Sequence, residues 1–137
     1  MVIAFFDASA LIYLLEGQPS LAEQVRQALA SLASAHSPLG IAVSRLSWME
    51  CRIGPLKDNA PDRLVLFDPF FAQPDLIWVE LDRNVVELAT EIRVRHSLRT
   101  PAALQASCCL QLGPAHRLLT GDRGFQRVRG LRVVCVS

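Results

Sequence analysis

Apolar and polar positions fall along this chain in short blocks, and the blocks carry two periods. Val2–Phe6 is an unbroken apolar run that stops at Asp7. Such a run predicts a strand buried on both faces, as in a parallel sheet. Ala8–Leu15 predicts a helix that Asp7 or Ser9 can cap and Gly17 ends. Behind Pro19 a second helix is expected over Ser20–Ser34, with Leu21, Val25, Ala28, Leu29 and Leu32 on one face. Gly40–Val43 reads as a strand. Ser44 caps a helix bearing Leu46, Met49, Glu50 and Ile53, which Gly54-Pro55 is expected to break.

Polar residues over Asp58–Asp62 predict a turn, followed by a helix over Arg63–Phe71 and a strand over Leu76–Leu81. Asp82 caps a long helix with Val85, Leu88, Ala89, Ile92 and Val94 turned inward. Thr100-Pro101 opens another helix, a cap residue followed by proline at the first helical position, and Gly113-Pro114 stops it after Leu112. Arg117–Thr120 is a strand, Arg123–Arg127 a short helical turn, and Leu131–Val136 a final strand. Alternation of strand and helix predicts the α/β class, a parallel sheet of four or five strands flanked by helices on both faces. With 137 residues and no linker or repeat, 1–137 reads as one domain.

Composition changes this picture little. Half the residues are hydrophobic, which argues for an ordered core. No apolar run approaches the ~20 residues of a bilayer span, and no basic leader precedes the first run. The expectation is a cytoplasmic protein with no membrane partner. Net charge is +1, but Lys57 is the only lysine among 14 basic side chains. Arginine is the better donor to phosphate; arginine-favouring codons explain the bias equally well. Cys51, Cys108, Cys109 and Cys135 lack C-x-x-C spacing and read as small buried hydrophobes. His36, His96 and His116 lie at predicted helix ends or in loops and read as surface residues, so a zinc site is not expected.

The acids carry the candidate chemistry. In open α/β sheets, ligands bind beyond the carboxyl ends of the strands. Asp7 directly follows the first strand, Asp122 follows the Arg117–Thr120 strand, and Glu50 lies on the helix after the second strand. Asp7 or Asp122 alone is explained by helix capping. Two such acids at one edge with a glutamate nearby need a cation to offset their repulsion. An all-oxygen set suits Mg²⁺, or Mn²⁺, rather than zinc.

Four segments, in this order, carry a family resemblance: Asp7-Ala8-Ser9 after a strand, Ser44-Arg45-Leu46-Ser47-Trp48-Met49-Glu50, Leu98-Arg99-Thr100-Pro101-Ala102-Ala103-Leu104-Gln105, and Leu119-Thr120-Gly121-Asp122-Arg123. Together they resemble a PIN domain of the VapC toxin type over essentially the whole chain. The resemblance implies a PIN-like three-layer sandwich and Mg²⁺-dependent cleavage of RNA. It also implies a homodimer held in check by a small antitoxin. Asp7, Glu50 and Asp122 match three of the family's catalytic, metal-holding acids, and Ser9 and Thr120 its supporting hydroxyls. Either hydroxyl reads equally well as a cap or turn former. Arg99 and Arg123, beside these motifs, are candidates for contact with the RNA backbone.

One position departs. The family's pattern places an aspartate after R-T-P, where this chain has Ala102. Natural loss in a degenerate member and a substitution that disarms a toxin both account for it; the intact remainder favours the second. The chain is then a weak or inactive ribonuclease, and the alternative is a non-catalytic PIN domain that only docks a partner. Rival classes fit less well. A receiver domain needs a lysine beyond the last strand, far from Lys57. A haloacid-dehalogenase-type phosphatase needs an aspartate where Ser9 stands.

Overall fold

The computed structural model describes residues 1–136. Five strands form its sheet: β1 (Val2–Phe6), β2 (Leu39–Ser44), β3 (Ile77–Val79), β4 (His116–Thr120) and β5 (Val133–Cys135). Every neighbouring pair is parallel, in the order β3-β2-β1-β4-β5. The helices are α1 (Ala8–Leu15), α2 (Pro19–Ala35), α3 (Arg45–Lys57), α4 (Pro61–Phe71), α5 (Arg83–His96) and α6 (Thr100–Leu110).

β1 is buried at all five positions because it is central and covered on both faces. Its side chains alternate between two cores. Ile3 and Phe5 pack with Val85, Ala89, Ile92 and Ala106 of α5 and α6. Ala4 and Phe6 pack with Leu11, Val25, Cys51 and Phe67 of α1 to α4. This is the expected α/β sandwich of three layers.

The differences from expectation have physical reasons. α3 runs through Gly54-Pro55 to Lys57. Proline removes its own N–H bond and crowds the carbonyl four residues back, yet the last turn still closes, with the Asp58 N–H on the Gly54 carbonyl at 3.0 Å. α4 starts at Pro61, two residues earlier than expected, because proline suits a first turn. Arg99, not Thr100, is the cap residue of α6, and no side chain caps it. β3 and β5 are three residues each, shorter than expected, as befits edge strands. Val94 points outward, 78% exposed, on the solvent side of α5.

His116 is a clear correction, being buried rather than on the surface. Its Nδ1 lies 2.6 Å from the Gly113 carbonyl oxygen, and its Nε2 accepts the Arg132 N–H at 2.9 Å. With both nitrogens satisfied, burial costs the ring little. Cys51, Cys108 and Cys109 are buried free thiols, as expected. Burial first, then nearby acids, pushes the Cys51 and Cys108 thiols up to about 12, so neither supplies a nucleophile at neutral pH. Among the described residues no helix is long and apolar enough to cross a membrane.

Candidate functional site

The order of the sheet decides where a site can form. Chain progression runs outward from β1 through β2 to β3 on one side, and through β4 to β5 on the other. Such a reversal leaves a crevice beyond the carboxyl ends of the strands. Asp7 is the first residue past β1, Asp122 lies two past β4, and Glu50 sits on α3, which follows β2. All three line one depression of about 260 Å³, together with Ser9, Arg99, Ala102 and Gln105. Asp7 and Asp122 thus stand at the same end of the sheet.

Asp7 is buried and fully engaged. Its Oδ1 accepts from Ser9 Oγ at 2.7 Å and from the Ala10 N–H at 2.9 Å. Its Oδ2 accepts from Thr120 Oγ1 at 2.5 Å. The hydroxyls are fixed in turn, Ser9 Oγ by the Gly121 N–H and Thr120 Oγ1 by the Asp122 N–H, each at 2.9 Å. Asp7 therefore caps α1 and also ties β1 to the loop after β4. Burial raises its pKa above 3.8; the bonds from Thr120, Ala10 and Ser9 oppose this, and the charge of Asp122 adds to it. Glycine at 121 lets the Tyr13 ring rest against this loop; a Cβ there would lie about 2.5 Å from the ring and hydroxyl, and the tyrosine would have to move.

Glu50 is held by a residue the sequence reading did not single out. Gln105 is buried on α6. Its Nε2 donates to Glu50 Oε1 at 3.1 Å and to Ser47 Oγ at 2.9 Å, while its Oε1 accepts from Ser44 Oγ at 2.7 Å. Ser47 Oγ continues to the Phe6 carbonyl at 3.2 Å, the last residue of β1. The available signal was one amide on an otherwise small and apolar helix face, three residues from Ala102. Burial raises the Glu50 pKa, opposed by the Gln105 bond and assisted by the charge of Asp7.

Asp122 is more open. Its Oδ1 accepts the Gly124 N–H at 2.8 Å and caps the turn Arg123–Arg127. Arg99 lines the depression; Arg123 does not. Arg45 pairs with Glu80 at 2.8 Å and stacks over Trp78, and Arg52 lies over the ring of Trp48.

Whether these groups suit a cation can be judged from their chemistry. Among the described residues, Asp7, Glu50 and Asp122 have no ion pair. Burial and mutual repulsion leave Asp7 and Glu50 reluctant to ionise, and a cation would offset that cost. Yet no three His, Cys, Asp or Glu side chains among the described residues lie close enough to cage a metal. The three acids share the depression without forming a closed cage, so an ion there would draw much of its ligation from water. Ala102 contributes only a methyl to the same depression.

The model of the PIN domain family matches residues 4–131. No curated protein sequence matches the chain. Several solved structures share its fold. VapBC2 from Rickettsia felis, bound to a DNA fragment from its promoter, is 18% identical with a TM-score of 0.79, covering 99% of this chain and 100% of that one. A toxin–antitoxin complex from Klebsiella pneumoniae is 26% identical with a TM-score of 0.66, covering 96% and 95%. VapC20 from Mycobacterium tuberculosis, a toxin that cleaves the sarcin-ricin loop, is 14% identical with a TM-score of 0.67, covering 90% and 92%.

Proposed function

The chain belongs to the PIN domain family, and on that premise we propose that it is a metal-dependent endoribonuclease toxin of a toxin–antitoxin pair, impaired at Ala102. The observation that carries this reading is the convergence of Asp7, Glu50 and Asp122 in one depression, none of them in an ion pair among the described residues. Solved structures of the same fold that are toxins or toxin–antitoxin complexes support it.

Asp7, Glu50 and Asp122 would hold Mg²⁺, with Mn²⁺ as a substitute. When bound, the ion makes a water more acidic and neutralises charge on the phosphate. The chain's own residues supply position. Ser9 and Thr120 lock the Asp7 carboxylate through Oδ1 and Oδ2, and Gln105 locks one oxygen of Glu50. Arg99 lies on the rim, where a guanidinium meets a phosphate oxygen. The substrate is RNA, the partners are a second copy and a small antitoxin, and the place of action is the cytoplasm. A non-catalytic PIN domain that docks a partner is the second reading, and Ala102 favours it.

The test restores the missing acid. Ala102→Asp should gain Mg²⁺-dependent, EDTA-sensitive cleavage of structured RNA, at least about 100-fold above the parent chain, the scale on which a misplaced reacting group costs rate. The substitution lies in the first turn of α6, where a negative charge suits the helix end, so folding should be kept. A folded Ala102→Asp protein that cleaves nothing would favour the docking module. Strong cleavage by the parent would show that position 102 is dispensable.

A further inference from the structure

A second depression opens directly beside the acidic one. It holds about 240 Å³ and is lined by Ser97, Arg99, Ala102, Asp122, Gly124 and Arg127. Arg99, Ala102 and Asp122 belong to both depressions, so the two are continuous across that shared wall.

The floor and the charges of this second depression are built by the fold. Ser97 takes the left-handed conformation, φ 55, and turns the chain sharply out of α5. Arg93 Nη1 donates to the Leu98 carbonyl at 2.7 Å and holds the segment that presents Arg99. On the opposite wall the guanidinium of Arg127 lies against Gly124, 3.4 Å from where a Cβ would stand. A side chain at 124 would press on that guanidinium and on Asp122 Oδ1 at 3.0 Å, so glycine keeps the wall open. Among the described residues, neither Arg99 nor Arg127 forms an ion pair or a side-chain hydrogen bond, whereas Arg45, Arg63 and Arg83 all have carboxylate partners. Two guanidinium groups against the one carboxylate of Asp122 leave this depression net positive. The acidic depression beside it, with Asp7, Glu50 and Asp122 against Arg99, is net negative.

We infer that the Arg99–Arg127 depression is a binding subsite for a phosphodiester of single-stranded RNA, one that works without metal. This rests on the nuclease reading above and deepens it. A strand whose reacting phosphate lies over the acids has its neighbouring phosphate carried over the shared wall, toward two uncommitted arginines. Guanidinium is suited to this because its planar donors engage two oxygens of a phosphate at once. The position of Ala102 on the shared wall matters here. An acid at 102 would add negative charge beside Arg99; alanine leaves the subsite positive while weakening the acidic side. The chain therefore retains RNA binding even where cleavage is lost.

The experiment measures binding of the full chain to a labelled single-stranded RNA of mixed sequence by fluorescence anisotropy, in EDTA and over a range of KCl. The variants are Arg127→Ala, Arg99→Ala and, as a control, Arg26→Ala on the exposed face of α2. Arg99 and Arg127 are both exposed, and circular dichroism confirms folding. The parent should bind. Arg127→Ala and Arg99→Ala should each weaken binding several-fold, and each should lower the slope of log affinity against log salt by about 0.7, the release expected for one single-strand phosphate contact. Arg26→Ala should change neither. Affinity and slope of Arg127→Ala equal to those of Arg26→Ala would overturn the subsite, as would a parent that does not bind RNA. Cleavage by Ala102→Asp alongside an unaltered Arg127→Ala places the failure in the subsite alone; loss of both results removes the nuclease reading too.

Discussion

At the scale of single residues, Asp7 sets stability against its proposed role. Its carboxyl titrates above 3.8, mainly because it is buried. The folded protein thus binds this proton more tightly than the unfolded chain does. Below 3.8 both states are protonated and there is no penalty; as pH rises through the folded value the penalty sets in, and it is complete at neutral pH. Asp7→Asn keeps the acceptor for Ser9 and the Ala10 N–H while removing the charge. The variant should therefore melt at a higher temperature than the parent at pH 7, with the gain gone near about pH 3. Mg²⁺ should raise the parent's Tm and leave the variant's unchanged, since a ligand stabilises only the state that binds it. Asn turns the atom facing Thr120 Oγ1 from an acceptor into a donor, so a variant that melts lower at pH 7 would show that the lost Thr120 bond outweighs the burial of charge. The shared placement of Asp7, Glu50 and Asp122 was legible in the sequence because each sits at a strand end or on the following helix. Gln105 and Arg127 were not, because their importance comes from contacts between α6 and α3 and from the shape of a loop. Neither is a local property of the chain.

At the scale of elements, the sequence shows the central strands best. β1 and α1 fall where an unbroken apolar run and a following cap residue put them, since local signal and tertiary burial agree there. The edges agree less well. Leu76 and Leu81 are apolar residues flanking β3, but with a neighbour on one side only the ladder stops at Val79. His116 is the most informative miss, because its burial depends on a bond to a residue sixteen positions away. Burial lowers its pKa below 6.5, the Gly113 carbonyl opposes that, and Arg132 and Arg117 lower it further. The folded protein holds this proton less tightly than the unfolded chain, so the stabilisation is present above 6.5 and is lost as pH falls through the folded value. Protonated Nε2 can no longer accept the Arg132 N–H, which anchors the approach to β5. His116→Gln should cost about 1 kcal/mol at pH 8 for one altered hydrogen bond. Its melting temperature should also vary less than the parent's between about pH 7 and 5. Parallel pH curves for the two proteins would exclude His116 as the source.

At the scale of the whole molecule, what remains exposed bears on assembly. Phe67 is buried in the core, and Leu29 and Leu32 are partly buried against it. Two other strips stay open: Met49, Ile53 and Leu56 on α3 with Val65 and Leu66 on α4, and Val86 with Val94 on α5. The α5 strip is the candidate for the proposed contact between two copies. Val86, Thr90 and Val94 are four residues apart on one helix face and line a cleft of about 280 Å³ with Ala103 and Leu104 of α6. In the proposed dimer, an antiparallel α5 related by a two-fold axis at Thr90 would bring Val86 of one copy to Val94 of the other, the reciprocal pairing that a two-fold interface requires. The strip on α3 and α4 would then be left for an apolar helix of the proposed antitoxin. The expected outcome is a homodimer in solution that Val94→Glu converts to monomer, because burying an unpaired carboxylate twice across the axis costs far more than one exposed valine contributes. Ile53→Glu should leave the dimer intact. Light scattering over a wide concentration range separates the cases. A parent that stays monomeric throughout removes the dimer, and dissociation by Ile53→Glu but not Val94→Glu moves the interface to α3.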